Sequence, residues 1–328
     1  MKVNIVFTIA NTPKGGGNQF LRTLKDELFA KELYSRVEDA DVILFNSHQD
    51  IEKVIKIKRK YPEKLFIHRI DGPIRLYNKM SDRRDFITNI TNRNVADATV
   101  YQSEWSKMAN LEMGLEQNKY EKIIPNAVDC DIFNRQNKSE FSKNRKVRLI
   151  ASSWSSNINK GFETYKYLDE HLDFSKYEMT FVGNSPIQFR NIRMVEPQAS
   201  RELAKILKQQ DIYITASKKD PCSNSLIEAL ACGLPAVCYK DGGHPEILKE
   251  AGVLFSKEDE IPALLNEIVE NYDIYQGRIQ IKGIADITAE YVKFFHKILN
   301  ESEGKRKKLT KFGEWEIAAA LWKYYYLK

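Results

Sequence analysis

The chain has 328 residues, is 42% hydrophobic and carries a formal net charge of +6. That length exceeds what one hydrophobic core usually holds, so two domains are expected, and the close mixture of 51 basic with 45 acidic residues argues against a dedicated nucleic-acid binder while suiting small anionic substrates. Cys130, Cys222, Cys232 and Cys238 lack metal-ligand spacing, and no apolar run is long enough to cross a bilayer, which together read as a reduced, cytoplasmic protein.

The first apolar run, residues 3–9, is too short for a signal peptide and reads as a first strand. Short β-rich runs recur at 42–45, 65–68, 98–101 and 122–124, and helical patterns occupy 18–34, 50–60, 81–95 and 104–114 between them. This alternation is the signature of a parallel sheet, so residues 1–145 read as a Rossmann-like domain. Lys14-Gly-Gly-Gly17 opens the first helix with backbone that a ligand can approach closely, and His68 closes the third strand.

A polar stretch at 134–146 breaks the apolar pattern, and a second cycle begins at 147. Its strands are expected at 147–151, 179–182, 211–215, 236–239 and 253–255, and its helices at 161–170, 200–208, 225–232, 244–250 and 260–271. Residues 146–300 thus form a second Rossmann-like domain. The fold class is α/β, with two such domains facing across a cleft at the carboxyl ends of their strands. In residues 301–328, Leu309, Phe312, Trp315, Ala319, Trp322 and Tyr326 recur at helical spacing behind Lys305-Arg-Lys-Lys308, which predicts an amphipathic tail helix.

The segment 220–238 is the richest in chemistry. Pro221 stiffens the approach, Ser223, Asn224 and Ser225 are capping residue types, Leu226, Ile227 and Leu230 mark one buried face, and Gly233 with Pro235 stops the helix. Such a helix start, with open N–H groups near 223–226 and partial positive charge, suits a diphosphate or an oxygen-rich sugar, and Asp220 and Glu228 can accept hydrogen bonds from hydroxyls. Ser225 and Glu228 also have capping-box spacing, in which Glu228 merely closes the helix. Asp39-Ala-Asp41 and Asp129-Cys-Asp131 have metal-binding spacing but sit where carboxylates commonly cap turns, so no metal is assigned.

Four ordered motifs carry a family resemblance: Ile124-Pro-Asn-Ala-Val-Asp129, Asn159-Lys-Gly-Phe162, the segment 220–235, and Gly242-Gly-His-Pro-Glu246. They resemble the signatures of retaining glycosyltransferases of the GT-B fold, family 4. The resemblance implies transfer of a sugar from a nucleoside diphosphate sugar to a hydroxyl of a saccharide or glycoconjugate, with neither metal nor cofactor. It implies that Glu228 holds the ribose. Asp220, one methylene shorter than the family's glutamate, lies near the transferred sugar, Lys160 binds the diphosphate, and His68 lies beside the reacting sugar; these last three are the catalytic candidates. Gly16, Gly17, Ser153, Asn224, Ser225, Leu226 and Gly243 are the further donor-binding candidates. The family's arginine six residues before the lysine is Trp154 here, so one diphosphate cation is missing or supplied from elsewhere. The resemblance also places the last helix back on the first domain, while its basic and aromatic residues suit peripheral contact with an anionic membrane. A sugar-nucleotide epimerase, a phosphorylase or a non-catalytic two-lobed binding protein would use the same architecture.

Overall fold

A computed structural model describes residues 1–9 and 16–326, and the chain divides into two compact units, each with its own parallel sheet. The first unit contains β1 (Val3–Val6), α1 (Gly16–Ala30), β2 (Val42–Asn46), α2 (Ile51–Lys60), β3 (Leu65–Ile70), α3 (Ile74–Tyr77), α4 (Arg84–Val95), β4 (Ala98–Tyr101), α5 (Glu104–Glu112) and β5 (Tyr120–Ile123). β1 to β4 are buried on both faces, which is why they read as nearly unbroken apolar runs.

The sheet runs β1-β2-β3-β4-β5. Tyr34 adds a one-residue parallel bridge to Val3. Val3 donates its N–H to Leu33 and accepts from Ser35 N–H, while Lys2 accepts from Val42 of β2. Successive residues of a strand point their polar groups to opposite edges, so Tyr34 lies on the side of β1 away from β2. The chain therefore leaves β1 in one direction and returns across it in the other, which makes the carboxyl end of β1 the switch point of this sheet.

The second unit contains β6 (Val147–Ser153), α6 (Phe162–His171), β7 (Tyr177–Gly183), β8 (Arg193–Val195), α7 (Ser200–Lys208), β9 (Ile212–Thr215), α8 (Asn224–Ala231), β10 (Ala236–Tyr239), α9 (His244–Leu248), β11 (Gly252–Phe255), α10 (Ile261–Glu270) and α11 (Tyr272–Gly277). Strand order is β11-β10-β9-β6-β7-β8, parallel throughout, with the reversal between β6 and β9. Alternation along β6 sends Leu149 and Ala151 into a core with Phe162, Tyr165 and Leu265 on one face of the sheet, and Ile150 into a core with Leu203, Leu226 and Leu230 on the other.

Two boundaries differ from those expected. The division falls after Asn126 rather than near 145, because residues 127–146 are tied into the second unit. Val128 bridges to Gly283, Val128 and Phe133 are buried among α8 residues, and Arg145 donates to both oxygens of buried Asp211 at 2.6 and 2.9 Å. The chain also returns to the first unit at Ile284 rather than near 301. There α12 (Ile284–Glu301), which the expectations omitted, buries Ile287, Tyr291 and Phe295, with the Tyr291 ring 6.3 Å from Phe20 of α1. Finally α13 (Lys311–Tyr326) places Ile317, Ala320 and Leu321 in one core with Ile43, Phe45 and Ile87.

Candidate functional site

In the second unit the switch point between β6 and β9 gathers three of the sequence motifs. After β6 the chain makes a 3-10 turn, Ile158–Lys160, that ends on Gly161. Gly161 has φ 75°, and a Cβ there would stand 2.2 Å from the carbonyl oxygen of Ala216, so only glycine lets this turn lie against the end of β9. The Lys218 N–H donates to Asn159 O at 2.7 Å and latches the two loops together. Lys160 Nζ consequently lies 3.1 Å from Asp220 Oδ2, with both side chains largely buried. Burial works against the Asp220 charge, yet Lys160 and His244, with the Cys222 N–H, hold its carboxyl below the ordinary range.

The Gly242-Gly243 turn closes over the same carboxylate segment. Gly243 N–H donates to Asp220 O at 2.8 Å, and a Cβ on Gly242 would come within 2.3 Å of that oxygen. His244, which sequence reasoning passes over, is wholly buried here; its Nδ1 meets Tyr239 O at 3.0 Å and its Nε2 has no hydrogen-bond partner. The one sequence signal for it is its place inside Gly242-Gly-His-Pro-Glu246.

The α8 start differs in detail from the expectation of open N–H groups at 223–226. Ser223 is the N-cap and accepts from Leu226 N–H at 3.4 Å, and the Leu226 side chain is buried in the core. Ser225 Oγ lies 3.2 Å from Ser223 Oγ. Because Ser223 caps the helix, Glu228 sits beyond the first turn, outside any capping box, and its carboxylate has no hydrogen-bond partner among the described residues. Burial with nothing to offset it pushes its carboxyl up to about 8. A half-buried carboxyl without a partner suits a ligand hydroxyl. Asn224 begins the helix and Ser153 ends β6, where the Ser153 hydroxyl donates to Ser155 O at 2.8 Å. Trp154, at the family's arginine position, is 39% exposed and offers no cation.

In the first unit, polar side chains converge beyond the ends of β2, β3 and β4 on Asp71. Asn46 Nδ2 donates to it at 2.9 Å, Ser47 Oγ at 3.1 Å and Arg69 Nη1 at 2.8 Å, and Gln102 also donates. Arg69 is fully buried, bonds Asn126 Oδ1 at 2.6 Å and lies over the Phe20 ring. The Arg69–Asp71 ion pair thus has its cation wholly buried. Burial alone would raise the Asp71 carboxyl; Arg69 and the hydrogen bonds hold it low. Gly17 stands next to it, a Cβ there lying 3.9 Å from either carboxylate oxygen, and Gly16 is the first residue of α1; Lys14 and Gly15 of the same loop lie outside the described residues.

His68 is placed differently from the expectation. β3 continues to Ile70, so His68 is not at the strand end; it points into the face covered by α4 and is fully buried. Its ring stacks on Phe45 at 4.3 Å, and its two nitrogens meet Asn92 Oδ1 at 3.1 Å and Ser47 O at 2.9 Å. Burial pushes it down to about 4, and it presents no free polar atom to a ligand. Asp71 takes the strand-end position instead.

The Asp-x-Asp pairs are engaged structurally: Asp41 accepts from Lys2 N–H, Asp39 pairs with Arg36, and Asp129 accepts from Asp131 N–H. Among the described residues no three His, Cys, Asp or Glu side chains converge as a metal cluster, and no helix is long and apolar enough to cross a membrane.

Residues 188–282 match the model of the family described as Glycosyl transferases group 1, a span that includes the 220–235 and 242–246 motifs. A probable sucrose-phosphate synthase of Thermosipho melanesiensis is 26% identical over 171 residues, 46% of this chain; the match spans only 40% of that relative's length. Among solved structures, sucrose-phosphate synthase from Thermosynechococcus elongatus superposes with a TM-score of 0.70 at 13% identity, covering 92% of this chain and 100% of that one. Anabaena HepE in complex with UDP-glucose superposes with a TM-score of 0.66, also at 13% identity, covering 90% and 99%. The chain has the GT-B fold, and residues 188–282 of its second unit match the Glycosyl transferases group 1 model.

Proposed function

We propose that this chain transfers a glycosyl group from a nucleoside diphosphate sugar to a hydroxyl of a saccharide or glycoconjugate acceptor, with the anomeric configuration retained and no divalent metal required. The observation that carries the reading is the Lys160–Asp220 pair at the switch point of the second sheet, under the Gly242-Gly243 turn and on the loop that leads to unpartnered Glu228. In this reading the diphosphate draws the Lys160 ammonium away from Asp220, and the freed carboxylate orients sugar hydroxyls. As the anomeric carbon–oxygen bond breaks, negative charge grows on the leaving phosphate and Lys160 stabilises it. The acceptor oxygen bonds the anomeric carbon from the same face, and its proton passes to the departing phosphate oxygen. Glu228 accepts from ribose hydroxyls.

The HepE complex makes UDP-glucose the first donor to assay. Transfer to saccharide acceptors is expected to persist in excess EDTA, with a product anomer matching the donor by NMR. Activity abolished by EDTA and restored by manganese would refute the metal-independent reading. An inverted product would refute retention, and an altered nucleotide sugar without acceptor would point to an epimerase.

A further inference from the structure

The two faces of α13 differ: one is packed into the first unit, and the other carries large aromatic rings that nothing in that unit covers. One face carries Gly313, Ile317, Ala320 and Leu321, all buried against the first unit. Phe312, Trp315, Trp322 and Tyr326 are 65, 66, 55 and 72% exposed. At about 100° per residue these four aromatics, with Ala319 among them, fall within an arc of roughly 80° centred opposite the buried face. They associate in two pairs along the helix, Phe312 with Trp315 at 6.0 Å and Trp322 with Tyr326 at 5.9 Å. From Phe312 to Tyr326 the stripe runs about 21 Å.

The charges around the stripe are sorted. Both acidic residues of α13 are tied to the first unit: Glu314 to Arg59 at 2.7 Å, and Glu316 to Arg93 at 2.7 Å and to Asn94. Lys311 and Lys323 flank the aromatic arc and are exposed. In the segment before the helix, Lys307 is pinned by Asp97 and Asn118, Lys305 is exposed and pairs with Glu303 at 3.6 Å, and Lys308 is exposed.

We propose that this face of α13 seats on an anionic membrane surface. Tryptophan and tyrosine rings prefer the headgroup level of a bilayer, where the ring is buried and its polar atom stays wet. Lysines beside them reach anionic headgroups while their stems cover apolar surface. A second copy of the chain fits less well. Two-fold pairing of the stripe would bring lysines towards lysines, while the glutamates that could answer them are already bound to Arg59 and Arg93.

The test uses the full chain and phosphatidylcholine vesicles, alone or with about one third phosphatidylglycerol. Co-sedimentation is expected with the anionic vesicles only, weakening at about 0.5 M salt as screening shortens. Trp315→Ser combined with Trp322→Ser is expected to lower the partition coefficient about tenfold or more. Phe29→Ser, at a residue 72% exposed on α1, is expected to leave it unchanged. Lys308→Glu combined with Lys311→Glu reads the electrostatic half of the interaction independently of the aromatic packing and is expected to weaken anionic binding likewise. No binding of the parent chain to anionic vesicles, or binding by both double variants as strong as the parent's, would overturn the proposal. So would light scattering that showed a dimer which the tryptophan variant converts to monomer.

Discussion

Glu228→Gln separates binding from folding, because the side chain is half-buried and unpartnered, and burial raises its carboxyl from the ordinary 4.5 to about 8. A folded value above the unfolded one means that the protonated form is preferred in the native state. The contribution to stability is therefore fully present below about pH 4.5, is lost as pH rises towards about 8, and stays lost above that. At ~1.36 kcal/mol per pH unit the displacement corresponds to roughly 4–5 kcal/mol, and water reaching the exposed part of the side chain brings this to about 2–3 kcal/mol. Glutamine keeps the shape and never ionises. The variant is expected to match the parent in urea unfolding near pH 4.5 and to exceed it by about 2–3 kcal/mol near pH 8.5. Above about pH 8, where the parent carboxyl is ionised, the variant should also bind the nucleoside diphosphate about 10- to 100-fold more weakly by calorimetric titration, since a hydrogen bond to a charged acceptor is worth ~1.5–3 kcal/mol. Equal stability at both pH values would refute the account of an unpartnered carboxyl, and unaltered affinity would remove Glu228 from the nucleotide site.

Lys160→Ala leaves Asp220 buried without its cation, so a loss of about 1–3 kcal/mol is expected by thermal unfolding, with turnover down ~10²- to 10³-fold at saturating donor; unchanged turnover would end its proposed phosphate role. Gly161→Ala places a Cβ against Ala216 O at a positive φ, and is expected to lower stability by about 2 kcal/mol or more while also weakening nucleotide binding by displacing Lys160; a stable variant with native affinity would contradict the packing described. His68→Ala removes a stacked ring with both nitrogens engaged, for an expected cost of about 2–4 kcal/mol with nucleotide affinity unchanged; a large kinetic loss without destabilisation would return His68 to the reaction centre.

Much of the architecture was legible because buried parallel strands must be continuous apolar runs, and those at 42–45, 65–68, 98–101 and 236–239 stand out between helical patterns. The Lys160 turn and the 220–246 segment were legible for a related reason: Gly161, Gly242 and the capping serines are backbone requirements written directly as residue types. The short β8 and α3 leave no comparable pattern, whereas α12 does: Ile284, Ile287, Tyr291, Phe294 and Ile298 keep helical period. What the sequence could not say is which unit α12 joins, since an amphipathic helix specifies that it needs an apolar partner but not whose.

By itself the sequence determined the α/β class, the two sheets and the glycine- and serine-marked loops that gather at the second one, because periodicity and turn residues act locally. Only the tertiary structure decided direction and partnership. β3 runs two residues past His68, so alternation leaves His68 inside the helix-covered face and Asp71 just beyond the strand end, a facing that a one-residue difference in register reverses. Ser223, rather than Ser225, caps α8 and so leaves Glu228 without a partner, and Lys160 meets Asp220 across a sequence gap of 60 residues. α13 has apolar residues on two sides, and its pattern cannot rank them. The fit of Gly313, Ile317 and Ala320 against α4, where small residues let the helices approach, sends the larger aromatics outward.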